Sequence, residues 1–220
     1  MNKACIFDFD GVMIDNEKYW EREKLNIFSE IYGADIASKL DKTLGANMDA
    51  IHARAVSLGS KVPVEKMYEA GDRHAKIVYT QSPITEGLDE LLAKLDVMGI
   101  VMGVVSASPK WWIDLALARI PHAGVLKTII SLHDRADLAH KPAPDGYREA
   151  MNALGSTPET TMVIEDSNMG IASAKAAGAY TIGLRQNAVD GYSMEGADTY
   201  IDTISQVAQI ALSFRNIKTN

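Results

Sequence analysis

Six short apolar runs punctuate the chain: KACIFDF, IVMGVVSA, LKTIISL, TMVIED, AYTIGL and DTYI. Each is too short for an ordinary helix and most are rich in Val, Ile and Thr, so each reads as a strand. Helix-like segments separate several of them: GLDELLAKLDVMG (87–99), APDGYREAMNALG (143–155) and NMGIASAKAAG (168–178), with a glycine closing each. Strand and helix in alternation predict an α/β fold, a parallel sheet covered by helices. Pro144 suits the first turn of its helix, where a missing N–H matters least. TPET (157–160) reads as a turn feeding the next strand.

The alternation breaks from about Glu17 to Thr80. NEKYWEREKLNIFSEIYG, ANMDAIHARAVSLG and PVEKMYEAGDRHAKIVYT look helical, and no convincing strand separates them. The expected organisation is therefore a core made of residues 1–15 and 82–220, with a helical insertion at 16–81. MIDN (13–16) and QSPITEG (81–87), short polar or proline-containing stretches, are suited to two hinge strands between core and cap.

In open parallel sheets functional groups gather where strands end at their carboxyl side. After the first strand stand Asp8 and Asp10; after the second, Ser106; after the third and a loop, Lys141 in HKPAPD; after the fourth, Glu165 and Asp166. If extended geometry continued to Asp10, it and Asp8 would converge on one side. Converging carboxylates near a phosphate make sense only with a cation. Mg2+ prefers oxygen ligands, and Asp8, a nearby backbone carbonyl and Asp166 would suffice with water, Glu165 being a further ligand or the holder of a metal-bound water. A carboxylate with a reference pKa of ~3.9 is ionised at neutral pH, so Asp8 can attack phosphorus without a base. Lys141 can neutralise phosphate oxygens, while Ser106 and adjacent N–H groups such as that of Ala107 can donate to them. Asp10 can protonate the leaving alcohol and then activate water, and Gly11 permits the tight turn that brings backbone N–H groups to the phosphate.

DFDGV, Ser106 after the second core strand, KPAPDGY and IEDSNMGIASAKAAGA together resemble the four motifs of the haloacid dehalogenase superfamily, over nearly the whole chain. The insertion just after the first motif looks like the helical cap of the subgroup that includes β-phosphoglucomutase, phosphoglycolate phosphatase and small sugar-phosphate phosphatases. The resemblance implies a Rossmann-like core, Mg2+, and aspartyl-phosphate chemistry with Asp8 as nucleophile and Asp10 as acid/base. It also implies that Asp10 offers the metal its backbone carbonyl rather than its carboxylate.

The expected function is hydrolysis of a small organic, sugar-like phosphate monoester. A sugar phosphomutase is the alternative, ahead of a dehalogenase or a non-catalytic binding module. In β-phosphoglucomutase-like proteins a cap His and a later cap Arg serve the second phosphate; here Trp20 in NEKYW and Met48 in LGANMDA stand in the matching neighbourhoods, which favours hydrolysis. Asn16, Trp20, Arg73, His74 and Lys76 are the cap candidates, and Arg54, Arg73 and Lys76 are the cations left for a distal phosphate. The net charge of -7, with lysines and arginines scattered, argues against nucleic acid as a partner. No apolar run is long enough for a bilayer, and an acidic pair interrupts the segment where a secretory leader would need continuous apolar residues. The expectation is a cytoplasmic monomer or weak dimer that meets a small phosphorylated metabolite and no membrane. Cys5, the single cysteine, reads as a buried small hydrophobe.

Overall fold

The structure, a computed structural model, describes residues 1–40, 48–189 and 191–215, with the backbone alone for Met48, Asp49 and Arg215. The chain divides into two compact units, Met1–Asp15 with Pro83–Asn220, and Asn16–Ser82. Among the described residues, no helix is long and apolar enough to cross a membrane.

In the first unit, each of the six apolar runs forms a strand: β1 (Ala4–Phe7), β2 (Val101–Ser106), β3 (Leu126–Ser131), β4 (Thr161–Glu165), β5 (Tyr180–Leu184) and β6 (Thr199–Ile201). Every pairing is parallel, in the order β3-β2-β1-β4-β5-β6. Such a sheet needs both faces covered, which is why β1 is apolar at consecutive positions and all four of its residues are buried. Ala4 and Ile6 pack with Val105, Tyr147, Met151, Val163 and Ala174. Cys5 is likewise buried, and burial pushes its thiol well up from the ordinary value, in keeping with an inert core residue.

The three glycine-closed segments become helices Leu88–Val97, Asp145–Leu154 and Asn168–Ala176. Pro144 is not inside the first turn: it occupies the N-cap position, one residue ahead of Asp145, where its fixed φ still suits the helix entry. TPET forms a 3-10 turn, Pro158–Thr160, closed by reciprocal Thr157–Thr160 bonds that lead into β4. Two helices of this unit stand outside the periodicity argument, Lys110–Leu117 and Val207–Arg215. The first buries Trp112 and leaves Trp111 exposed. The chain leaves this unit and re-enters it through an antiparallel bridge, Ile14 to Ile84, bordered by Thr85 N–H to Met13 C=O (3.0 Å) and Asp15 N–H to Pro83 C=O (3.0 Å).

The second unit is helical throughout its regular structure among the described residues: Glu17–Tyr32, Ala34–Leu40, Met48–Ser57 and Val64–Gln81. Met67, Ala70, Gly71, Ala75, Val78 and Tyr79 are buried along the last helix, a stripe at helical spacing. Met67 and Ala70 close a core with Ile27, Phe28, Tyr32, Leu40, Ile51 and Ala55. The Tyr32 hydroxyl meets His52 Nδ1 at 2.8 Å, which makes His52 a packing histidine.

Candidate active site

The sheet order reverses between β1 and β4, the strands that end in the two acid pairs. Strands on either side of such a switch point send their following loops in opposite directions and leave a crevice at their carboxyl ends. β1 stops at Phe7, but Asp8 N–H still donates to Ile164 C=O at 2.9 Å, so Asp8 is held as a ladder residue beside β4. Beyond it the chain turns tightly, Met13 N–H reaching Phe9 C=O at 2.8 Å and Gly11 N–H reaching Ile14 C=O at 2.9 Å. Extended geometry therefore does not continue to Asp10, and the two carboxylates of DFD meet different neighbours.

Asp8 is buried, and its Oδ1 accepts from Lys141 Nζ. The same ammonium donates to Glu165 Oε1 at 2.6 Å. Burial pushes the Asp8 carboxyl well above the usual carboxylate range; Lys141 opposes this, while Glu165 and Asp10 add to it. Burial alone would lower Lys141, but Asp8 and Glu165 outweigh it and hold the ammonium well above its ordinary value. Lys141 thus stays charged. It emerges from the loop before helix Asp145–Leu154, where the Lys141–Pro142 peptide is cis.

Glu165 is fully buried and tied on both oxygens. Oε1 takes Lys141 and the Tyr147 hydroxyl (2.6 Å); Oε2 takes the N–H groups of Asp166 (3.2 Å) and Ser167 (3.3 Å) and the Ser167 hydroxyl (3.1 Å). Ser167 also caps helix Asn168–Ala176 by accepting from Gly170 N–H at 3.0 Å. A Cβ on Gly170 would come within 1.8 Å of Glu165 Oε1, so only glycine lets the helix start this close to the carboxylate. Tyr147 is buried too; burial and then the charge of Glu165 raise its phenol, which keeps it a proton donor.

Asp10 is half-buried. Its Oδ2 accepts from the Ser108 hydroxyl at 2.7 Å and from the Ser106 hydroxyl at 3.3 Å. Ala107, between them, is exposed. Gly11 has φ 80 and lies against Asp166: a Cβ there would stand 1.8 Å from Asp166 Oδ2. Gly11 is thus required both by backbone conformation and by the carboxylate pressed against it.

One oxygen each from Asp8, Glu165 and Asp166 lies within 4.8 Å of the others. An all-oxygen donor set suits a hard divalent cation. Because both Glu165 oxygens already accept bonds, Asp8 and Asp166 are the carboxylates best fitted to ligate directly.

Four further residues join this site without having been singled out in the sequence. Ser108 and Tyr147 are described above. Ser131, at the end of β3, donates to Ser108 C=O at 2.8 Å. Asn187 donates to Gly11 C=O at 3.0 Å and to Thr85 Oγ1 at 2.7 Å, pinning the turn after β1. SASP and KPAPDGY carried visible signals for the first two; no pattern marked the others.

Arg73, His74, Trp20 and Asn16, candidates in the helical unit, have partners of their own. Arg73 pairs with Glu30. His74 Nδ1 meets buried Glu23 at 2.6 Å and its Nε2 meets Glu30 at 3.3 Å. Trp20 stacks edge-on against Tyr79, centroids 6.0 Å apart, Asn16 accepts from Trp20 N–H at 2.9 Å, and Lys76 is exposed. Arg54 sits beside Ser57 on Met48–Ser57. Of the stretch 44–50, residues 44–47 lie outside the described residues, so the comparison with a distal-phosphate loop falls there.

Comparison with known proteins shows the family and the fold. Residues 5–184 match the haloacid dehalogenase-like hydrolase family. Hexitol phosphatase B of Escherichia coli (strain K12) is 31% identical over 189 residues, 79% of each chain. Beta-phosphoglucomutase of Bacillus subtilis (strain 168) is 26% identical over 219 residues, 93% of this chain and 91% of that one. The crystal structure of CbbY from Rhodobacter sphaeroides in complex with phosphate superimposes with a TM-score of 0.76 at 21% identity, covering 94% of this chain and 96% of that one. With its parallel sheet, its acid pairs at the switch point and a family match from the first strand through the fifth, the chain belongs to the haloacid dehalogenase-like hydrolases.

Proposed function

We propose that the protein is a divalent-metal-dependent phosphatase that hydrolyses a small sugar- or polyol-like phosphate monoester through a phosphorylated Asp8, with Mg2+ as the metal. The observation that carries this reading is the Asp8–Lys141–Glu165 cluster with Asp166 beside it: a nucleophile, a fixed cation and a second acid at the carboxyl ends of β1 and β4. Asp8, Asp166 and the Asp10 backbone carbonyl would hold the cation. Bound there, it would keep Asp8 ionised and draw charge from the phosphoryl oxygens.

The chain's own residues then divide the work. An Asp8 carboxylate oxygen attacks phosphorus, the bond from phosphorus to the ester oxygen breaks, and that oxygen takes a proton from the Asp10 carboxyl. Asp10, now a carboxylate, takes a proton from water as the water oxygen attacks phosphorus, the phosphorus–Asp8 bond breaks, and orthophosphate leaves. Lys141, the Ser106 hydroxyl and the N–H of Ala107 serve the non-bridging oxygens, while the Gly11 N–H, expected to join them, is taken by Ile14 C=O and Gly11 contributes the turn instead. Glu165 serves by fixing Lys141.

The name of the E. coli relative, a hexitol phosphatase, supports a sugar- or polyol-like substrate. The Bacillus relative favours the phosphomutase as a second reading. Transfer back to a second position requires a cationic grip on a distal phosphate, and Arg73, one cation available for it, is already paired with Glu30. Phosphate release should be measured across hexose, hexitol, glycerol and glycolate phosphates, with Mg2+ and with EDTA. Metal-dependent orthophosphate from a hexose or hexitol phosphate is expected. Bisphosphate-dependent isomer interconversion with little orthophosphate would reverse the choice.

A further inference from the structure

Asp10 needs more than a place in the site. To meet the ester oxygen and later a water, its carboxyl must keep one orientation while the phosphoryl group comes and goes. Two hydroxyls now fix Oδ2, Ser108 at 2.7 Å and Ser106 at 3.3 Å. A serine hydroxyl has a single proton to give. Once Ser106 donates to a phosphoryl oxygen, as proposed above, its proton is lost to Asp10, and the shorter bond from Ser108 persists.

Ser108 is itself unusually well anchored. Its N–H donates to Ser106 Oγ at 2.9 Å, and its carbonyl accepts from Ser131 Oγ at 2.8 Å. Ser131 is buried and in turn accepts from Asp134 N–H at 3.2 Å, while Asp134 Oδ2 accepts from Lys110 N–H at 2.8 Å. Pro109, at the N-cap of Lys110–Leu117 with φ -53, fixes the next residue. The loops after β2 and β3 are thereby locked to each other, and the hydroxyl projects from the locked turn.

We infer that Ser108 is the positioning residue for Asp10, holding its carboxyl toward the ester oxygen while Ser106 serves the phosphoryl group. This rests on the phosphatase reading. It separates Ser108 from Ser106 by what each should do to leaving-group protonation. An alkyl ester oxygen departs poorly without a proton, whereas p-nitrophenolate leaves as a stable anion. Loss of Ser108 should therefore be felt with the first ester and scarcely with the second, while loss of Ser106 should be felt with both.

The test is kcat/KM for Ser108→Ala, Ser108→Thr and Ser106→Ala on a hexitol phosphate and on p-nitrophenyl phosphate. This ratio reports the first phosphoryl transfer and excludes the later hydrolysis. Ser108→Ala should lose about ten- to a hundredfold on the alkyl ester and less than about twofold on the aryl ester. Ser108→Thr, which keeps the hydroxyl, should recover most of the loss, and Ser106→Ala should fall on both. Equal losses for Ser108→Ala on the two esters, or no loss on either, would overturn the inference while leaving the phosphatase reading intact. A wild-type enzyme inactive on both esters would overturn the phosphatase reading and the inference with it.

Discussion

Each unit of this protein contains an acid–base cluster, and the two are built on opposite terms. In the α/β unit Lys141 sits between Asp8 and Glu165, with side-chain exposures of 10%, 10% and 0%. In the helical unit His74 sits between Glu23 and Glu30, and the cluster opens to water through Glu30 (48%) and Arg73 (57%). The first gathers residues from the ends of β1 and β4 and from the loop before a helix, Lys141 pairing with Asp8 across 133 positions. The second joins two helices of one bundle. Taking charges out of water is costly unless they are paired and fully bonded, so the first cluster is a poor way to add stability and makes sense as chemistry. The second is an ordinary helix-to-helix tie with one buried partner, Glu23.

Removing the central cation should show the contrast at its largest. Lys141→Met leaves Asp8 and Glu165 facing each other without a cation. It should lower kcat/KM by about 10^2- to 10^3-fold and stability by roughly 3 kcal/mol. Steady-state kinetics with a urea titration on the same preparation measures both. Wild-type kinetics in a folded Lys141→Met protein would reduce the cluster to the status of its helical counterpart.

Next in size is Asp166→Asn. With one carboxylate fewer around the cation, the Mg2+ concentration for half-maximal activity should rise by about tenfold or more, with the melting temperature in EDTA nearly unchanged. An unchanged Mg2+ requirement would remove Asp166 from the ligand set.

Tyr147→Phe is smaller and sharpens the role of Glu165. Deleting the donor at 2.6 Å from a buried carboxylate should cost about 1–3 kcal/mol in a denaturant titration. A neutral outcome would mean that the remaining donors hold Glu165 unaided.

The smallest effect belongs to the helical unit. Burial alone would raise Glu23, but bonds from His74, Asn26 and Arg22 outweigh it and hold its carboxyl below the ordinary value of 4.5. Hydrogen bonds from His74 and Arg73 likewise lower Glu30. A depressed folded-state pKa adds stability that is complete above the unfolded value and fades as pH falls through the folded one. Stability should therefore drop on acidification below about 4.5. Glu23→Gln should remove about 1 kcal/mol at neutral pH and flatten that acid limb, as read from urea midpoints between pH 3 and 7. An identical pH slope in the variant would show that the loss arises elsewhere.

The strands could be read in advance because a sheet buried on both faces writes itself as continuous apolar runs, as in Ala4–Phe7. The acids could be read because they follow those runs directly, and Lys141 because it stands in the KPAPDGY motif after the third run and a loop. What escaped is what depends on packing. Ala34–Leu40 is a short helix with too few apolar positions to declare a face. Which side of helix Asp145–Leu154 faces the sheet decides whether Tyr147 reaches Glu165, and no local pattern states it. Ser108 lay in plain view in SASP, but its bond to Asp10 depends on where the turn after β1 goes. Asn187 acts across 176 positions on a backbone carbonyl, an interaction with no compositional trace.

If Asp8 is the group that attacks phosphorus, as proposed, stopping the reaction during its first turnover will show it directly. Wild-type enzyme mixed with Mg2+ and a substrate identified by phosphate release, then quenched in acid within milliseconds, should yield a peptide spanning Asp8 that carries one phosphoryl group. The peptide from Asp8→Asn should carry none, with turnover lost and the fold retained. Rapid phosphate release from wild type with the Asp8 peptide never phosphorylated, or Asp8→Asn keeping a tenth or more of wild-type kcat, would contradict the account.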